Sequence, residues 1–126
     1  MKFWRFRLVK VKPRVPRGHY KKHRKYAEGF VRLRVRELSE RYGFEYNKVV
    51  IRNQTTRWGS CSRKKNLSFN YKIIFLSPEL QDYLILHELC HLKELNHSKR
   101  FWALMGQLIP KPKQMRKALR NVKLNL

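Results

Sequence analysis

The chain is poor in acid. Its 126 residues carry 8 Asp and Glu against 31 Lys and Arg, a formal charge of +23. Glycine is scarce too, and its 5 residues form no phosphate-cradling loop of the P-loop kind. The few carboxylates are scattered, so the cluster that usually holds magnesium is missing. Cysteine is limited to Cys61 and Cys90, which make neither a CxxC pair nor zinc-ribbon spacing. That scarcity excludes a disulfide framework. Long apolar runs are absent: Ile73 to Leu76 and Tyr83 to Leu86 are far too short to span a bilayer. The opening stretch MKFWRFRLVKVK is broken by charge and has no apolar block of a signal peptide. These absences point to a cytoplasmic protein with no membrane segment. The length suits one compact domain, and 42% hydrophobic residues suffice for a modest core.

What is present is unevenly spread. Residues 1–36 hold 14 Lys and Arg against Glu28 alone, and residues 98–126 hold 8 against no acid. Residues 37–97 are nearly balanced, with 9 basic and 7 acidic side chains. Basic flanks of this kind attract nucleic acid or another polyanion. They also serve simply as a solvated surface.

Local patterning gives a coarse order of elements. Residues 3–11 alternate and read as a strand, and Pro13, Pro16 and Gly18 then break the chain. We therefore divide the chain into a short basic strand or arm at 1–18 and a domain at 19–126. Ala27, Val31, Val35, Leu38 and Tyr42 recur at steps of three and four, which predicts a helix from Tyr20 to Tyr42. Gly43 sits where a left-handed cap belongs. KVVIR (48–52), TRWGSCS (56–62) and LSFNYKIIF (67–75) read as strands, with Asn66 able to take positive φ in the connection. Trp58 reads as core packing. Ser77-Pro78 opens a second helix as N-cap and first helical position. This helix is apolar nearly all round and is expected to stop at Leu95-Asn96. A third helix follows Ser98, Pro110 and Pro112 end it, and 113–123 read as a short basic helix.

The second helix contains HELCHLKELNH (87–97). His87 and His91 are four apart and share one helix face, a spacing at which two imidazoles bind one zinc. Glu88 lies beside the first ligand, placed to take a proton from metal-activated water. After a turn at Leu95-Asn96, His97 returns as the third ligand. Three protein ligands leave a fourth position open, the mark of a catalytic zinc site. Cys90 reads as a small core residue rather than a soft fourth ligand. His19 and His23 also stand four apart, but in a basic stretch that reads as surface.

TRWGSCS (56–62) followed by LSFNYKIIFLSPELQDYLILHELCHLKELNHSKRFWALM (67–105) resembles the YgjP-like metallopeptidase-domain family, related to the SprT/Wss-type zinc proteases. The similarity runs from about Tyr20 to Leu119. It departs at the ends: the N-terminal β-rich part of longer members is reduced to about eighteen residues, and Pro110-Lys111-Pro112-Lys113 stands where the family has "PDY". The resemblance implies an α+β, zincin-like fold, a small β-sheet packed on the HExxH active-site helix with flanking helices. It also implies His87, His91 and His97 as ligands of Zn2+ and Glu88 as general base. The TRWGSCS strand becomes the edge that pairs with extended substrate. Arg57 becomes a contact for developing negative charge, with a surface ion pair as its other role.

Three functions fit these readings. The first is a zinc-dependent metallopeptidase acting on peptide or protein. The second, also implied by the resemblance, is a metal-dependent UTP pyrophosphatase, with the basic residues on the triphosphate. The third is a nucleic-acid-binding zinc module without activity, which needs a fourth protein ligand.

Overall fold

A computed structural model describes residues 18–122. The strand expected at 3–11 lies outside the described residues. The first helix, α1, runs His19–Tyr42 and buries Ala27, Val31, Val35 and Leu38, the row expected from its spacing. Gly43 ends it at φ 75°, its N–H bonded to the Ser39 carbonyl, a left-handed conformation that glycine adopts without steric cost.

Three strands follow: β1 (Lys48–Arg52), β2 (Gly59–Cys61) and β3 (Asn66–Asn70). They form one sheet in the order β1-β3-β2. β1 runs parallel to β3 with Val49 opposite Leu67, and β2 runs antiparallel with Gly59 opposite Phe69. Among the described residues β2 is therefore an edge strand, as expected for TRWGSCS, though only three of those seven residues are in the ladder.

The strand expected over 67–75 ends at Asn70, and Tyr71–Phe75 turn into a 3-10 helix. Asn70 causes the change. Its Oδ1 accepts from the Lys72 N–H at 3.0 Å, which takes that donor out of any ladder. Its Nδ2 donates to the carbonyls of Gln54 and Arg57 at 2.7 and 3.0 Å. One buried amide thus ends β3 and anchors the loop that leads into Trp58 and Gly59. The left-handed residue of the β2–β3 connection is Lys65, at φ 64°, not Asn66. Asn66 opens β3 instead and its side chain pairs with Asn47.

The second helix, α2, spans Pro78–His91, with the Ser77 hydroxyl accepting from the Leu80 N–H as cap. Every residue from Tyr83 to His91 is buried. Strand β2, helix α1, helix α3 (Lys99–Leu108) and helix α4 (Pro112–Arg120) all pack around it. Arg34 clamps α1 to α2 through two hydrogen bonds to Asp82, at 2.8 and 2.7 Å. The architecture is small α+β, a three-stranded sheet packed on a buried helix that other helices flank. Among the described residues no helix is long and apolar enough to cross a membrane.

Trp58 is fully buried in the core, as expected. The two histidines read as surface residues are half-buried instead. His19 Nδ1 lies 2.7 Å from the Tyr71 hydroxyl, and His23 packs against the edge of Phe75. The 3-10 helix supplies both aromatic partners, which a strand there would have displaced.

Candidate metal centre

Helix α2 stops at His91, four residues before the expected Leu95-Asn96. The cause lies in the histidine itself. The Glu94 N–H closes the last turn on the Cys90 carbonyl at 2.9 Å. The Glu94 carbonyl is then taken by His91 Nδ1, which donates to it at 2.8 Å. A carbonyl turned toward a ring cannot continue a helical ladder. Neither Asn96 nor any other residue of this loop takes positive φ. Ser98 caps α3 by accepting from the Phe101 N–H, so the whole connection is Leu92 to Ser98. That short connection folds His97 back over the last turn of α2.

Three imidazoles converge as a result. His97 Nε2 lies 3.1 Å from His87 Nε2 and 3.1 Å from His91 Nε2. Donors about 2.0–2.1 Å from one tetrahedral zinc stand roughly 3.3 Å apart, so the spacing suits a single ion. Two outer contacts set the ring tautomers. A carbonyl only accepts, so His91 carries its hydrogen on Nδ1 and shows a bare Nε2 to the cluster. His87 Nδ1 lies 3.2 Å from the Tyr83 hydroxyl, which accepts from it when Nε2 serves as a ligand. Nitrogens this close are held together by a shared N–H hydrogen or by a cation among their lone pairs. The three nitrogens form a group that could hold a metal ion, and their chemistry fits zinc.

Electrostatics agree with that reading. Burial, followed by the neighbouring His91, His97 and Arg116, holds the His87 imidazole well below its ordinary range. Burial lowers His91 too, opposed by its bond to Glu94. Both rings are thus kept neutral, the form that ligates. Cys90 is buried in the core, and among the described residues no cysteine or carboxylate joins the three-histidine group. The site therefore offers three protein donors.

Glu88 is fully buried, and among the described residues neither carboxylate oxygen has a hydrogen-bond partner. Burial pushes its pKa well above the carboxylate range. An orphaned carboxyl group is costly to keep, and such groups concentrate at functional sites. Space for it is made by Gly59. A Cβ there would stand 3.2 Å from Glu88 Cγ and Oε2 and 3.0 Å from the Ser68 carbonyl oxygen. The glycine of RWGSCS thus lets the acid lie against the edge strand. Arg57, just before β2, is half-buried, and its carbonyl accepts from Asn70.

Sequence reasoning missed three contributors. Tyr83 had a readable signal, being four residues before His87 on the same helix face. The Glu94 carbonyl and the Gly59 cradle had none, since one is backbone and the other depends on sheet–helix packing.

Known structures share this fold. The metallopeptidase zymogen abylysin of Pyrococcus abyssi matches with a TM-score of 0.63 and 23% identity, covering 71% of this chain and 90% of its own. The metallopeptidase zymogen jannalysin of Methanocaldococcus jannaschii matches with a TM-score of 0.56 and 24% identity, covering 71% and 92%. No curated protein matches the chain. A sequence profile described as "YgjP-like, metallopeptidase domain" matches residues 11–122, nearly the whole chain, and with the converging histidines on a buried helix it leads to one assignment: the chain belongs to the YgjP-like metallopeptidase-domain family.

Proposed function

We infer that the protein is a zinc-dependent metallopeptidase in which His87, His91 and His97 hold the metal and Glu88 is the general base. One observation carries the reading. A fully buried carboxylate with no partner among the described residues lies on the same helix turn as a cluster of three imidazoles whose Nε2 atoms converge. When bound, zinc supplies Lewis acidity to water and to a substrate carbonyl. Its charge also offsets the burial that disfavours ionised Glu88. Glu88 then accepts a proton from the attacking water as the new C–O bond forms. The same carboxyl delivers that proton to the amide nitrogen as the C–N bond breaks. Tyr83 and the Glu94 carbonyl hold two of the ligand rings in the ligating tautomer. The edge of β2 receives extended peptide by strand addition, which the contact of Gly59 with Glu88 supports. Arg57, one residue before Trp58, is assigned to the developing oxyanion. A cytoplasmic setting suits the two free thiols.

Zinc-loaded protein should degrade an unfolded substrate such as reduced casein. A chelator should stop it, and added zinc should restore it. Absence of cleavage under these conditions would sink the reading. A second reading, a UTP pyrophosphatase, is favoured by the cations that flank Trp102 near His97. Pyrophosphate release from UTP under the same conditions decides it. Nucleic acid as a further partner of the basic flanks is tested by binding at physiological salt, where no detectable complex would remove it.

A further inference from the structure

Beside the three histidines lies an open-sided cavity of about 370 Å3, lined by Trp102, Gly106, Lys111, Pro112, Lys113 and Gln114. It sits where α3 hands over to α4, in the segment Pro110-Lys111-Pro112-Lys113 that the metallopeptidase reading leaves unused. The Trp102 ring joins the cavity to the metal centre. Its centroid is 6.1 Å from that of His97, at an interplanar angle of 29°, and 6.3 Å from that of His87. An extended peptide advances about 3.3–3.6 Å per residue, so the cavity is within a few residues of the metal centre.

Two cations flank that ring. Lys113 Nζ stands 5.6 Å from the Trp102 centroid and Arg116 Cζ stands 5.5 Å from it. Neither has a carboxylate partner among the described residues. Residues 98–126 contain no Asp or Glu, and the ion pairs among the described residues all belong to Arg34. Arg116 Nε is buried with no hydrogen-bond partner. Lys111 is held at φ 53°, a conformation that non-glycine residues seldom adopt and that accumulates at functional sites. An aromatic wall with Lys113 in the lining and Arg116 beside the ring accepts a short apolar stem ending in a negative charge.

We propose that the cavity walled by Trp102 and Lys113 is a specificity subsite that seats an acidic side chain of the peptide substrate next to the metal centre. The proposal rests on the metallopeptidase reading for its substrate. The aliphatic part of a Glu side chain lies on Trp102, and its carboxylate takes up the Lys113 ammonium, with Arg116 beside the ring adding positive charge. A protein of charge +23 attracts acidic peptides over its whole surface, so the test must separate cavity from field.

The probes are decapeptide pairs with a single Glu or Gln moved through each position around one cleavable bond. Binding is measured by calorimetry on zinc-loaded full-length Glu88→Gln, and kcat/KM on the zinc-loaded parent. The pocket variant is Lys113→Glu. The control is Lys25→Glu, an equal change of charge on an exposed residue of α1. We expect about a tenfold preference for Glu at one position, the size of one charge-assisted contact. Lys113→Glu should abolish or invert it, and Lys25→Glu should leave it. A preference that falls equally in both variants would reduce the cavity to the general field and overturn the proposal. So would equal affinity for Glu and Gln peptides, or a Lys113→Glu defect seen only for UTP. Glu-selective binding without any turnover would keep the subsite and remove the peptidase reading. Turnover without Glu preference would do the reverse.

Discussion

Replacing Tyr83 by Phe removes one oxygen, 3.2 Å from His87 Nδ1. The ring that loses it is fully buried, as is Tyr83. In the metal-bound protein His87 must present Nε2 inward, and its outward N–H then loses the hydroxyl that stood 3.2 Å away. An unsatisfied buried donor costs about 1–3 kcal/mol. That cost corresponds to roughly 5- to 150-fold in a dissociation constant, in line with the usual 10–100-fold for losing a ligand's hydrogen-bond partner. Without metal the His87 ring is free to take its other tautomer, so the loss there is smaller. Tyr83→Phe should therefore weaken zinc binding by one to two orders of magnitude in chelator competition, while thermal unfolding of the metal-free protein shifts little. Zinc affinity within twofold of the parent would refute this role for Tyr83. A large drop in metal-free stability with unchanged affinity would make Tyr83 a packing residue only.

Other perturbations test separate parts of the account. His97→Ala removes the nitrogen that stands 3.1 Å from both partners, and unchanged zinc affinity would remove it from the ligand set. Gly59→Ala forces a methyl group against the Ser68 carbonyl and Glu88, so it should cost about 1–3 kcal/mol in urea unfolding and lower kcat as well. A substitution without effect on either would mean that the cradle yields easily. Burial pushes the Cys61 and Cys90 thiols up to about 12. At pH 8 their thiolate fraction is then about a thousandfold below that of ordinary thiols, and iodoacetamide should label them only upon unfolding. Because the folded state disfavours both thiolates, their contribution to stability is present below about pH 9 and declines as pH rises toward 12. Rapid native labelling would contradict the burial of both side chains.

Much of the chemistry was legible in order, and less of the fold. HELCHLKELNH named the three histidines that the fold brings together, because i,i+4 spacing survives any packing of the helix. The caps Ser77, Ser98 and Gly43 were readable, since each uses a local bond. LSFNYKIIF misled because its apolar run hides a side-chain competitor: Asn70 captures the Lys72 N–H and converts strand to 3-10 helix. The early end of α2 was hidden for a related reason, a ring nitrogen bonding to backbone three residues later. Lys72 shows the limit in another way. A lysine in a basic chain reads as surface, yet it is 2% exposed on the turn that Asn70 creates, where burial lowers its pKa. The Trp102 cavity was not readable at all, since it depends on how α4 returns beside α3.

The central claim is that Glu88 works on water beside three metal-binding imidazoles. Its most direct test is peptide hydrolysis by the parent and by Glu88→Gln, each with bound zinc counted. Glutamine keeps the shape and removes the base. We expect one zinc per chain in both proteins and turnover lower by about 10²–10⁴ in the variant, the range of general acid–base catalysis. Equal turnover at equal zinc content would contradict the account.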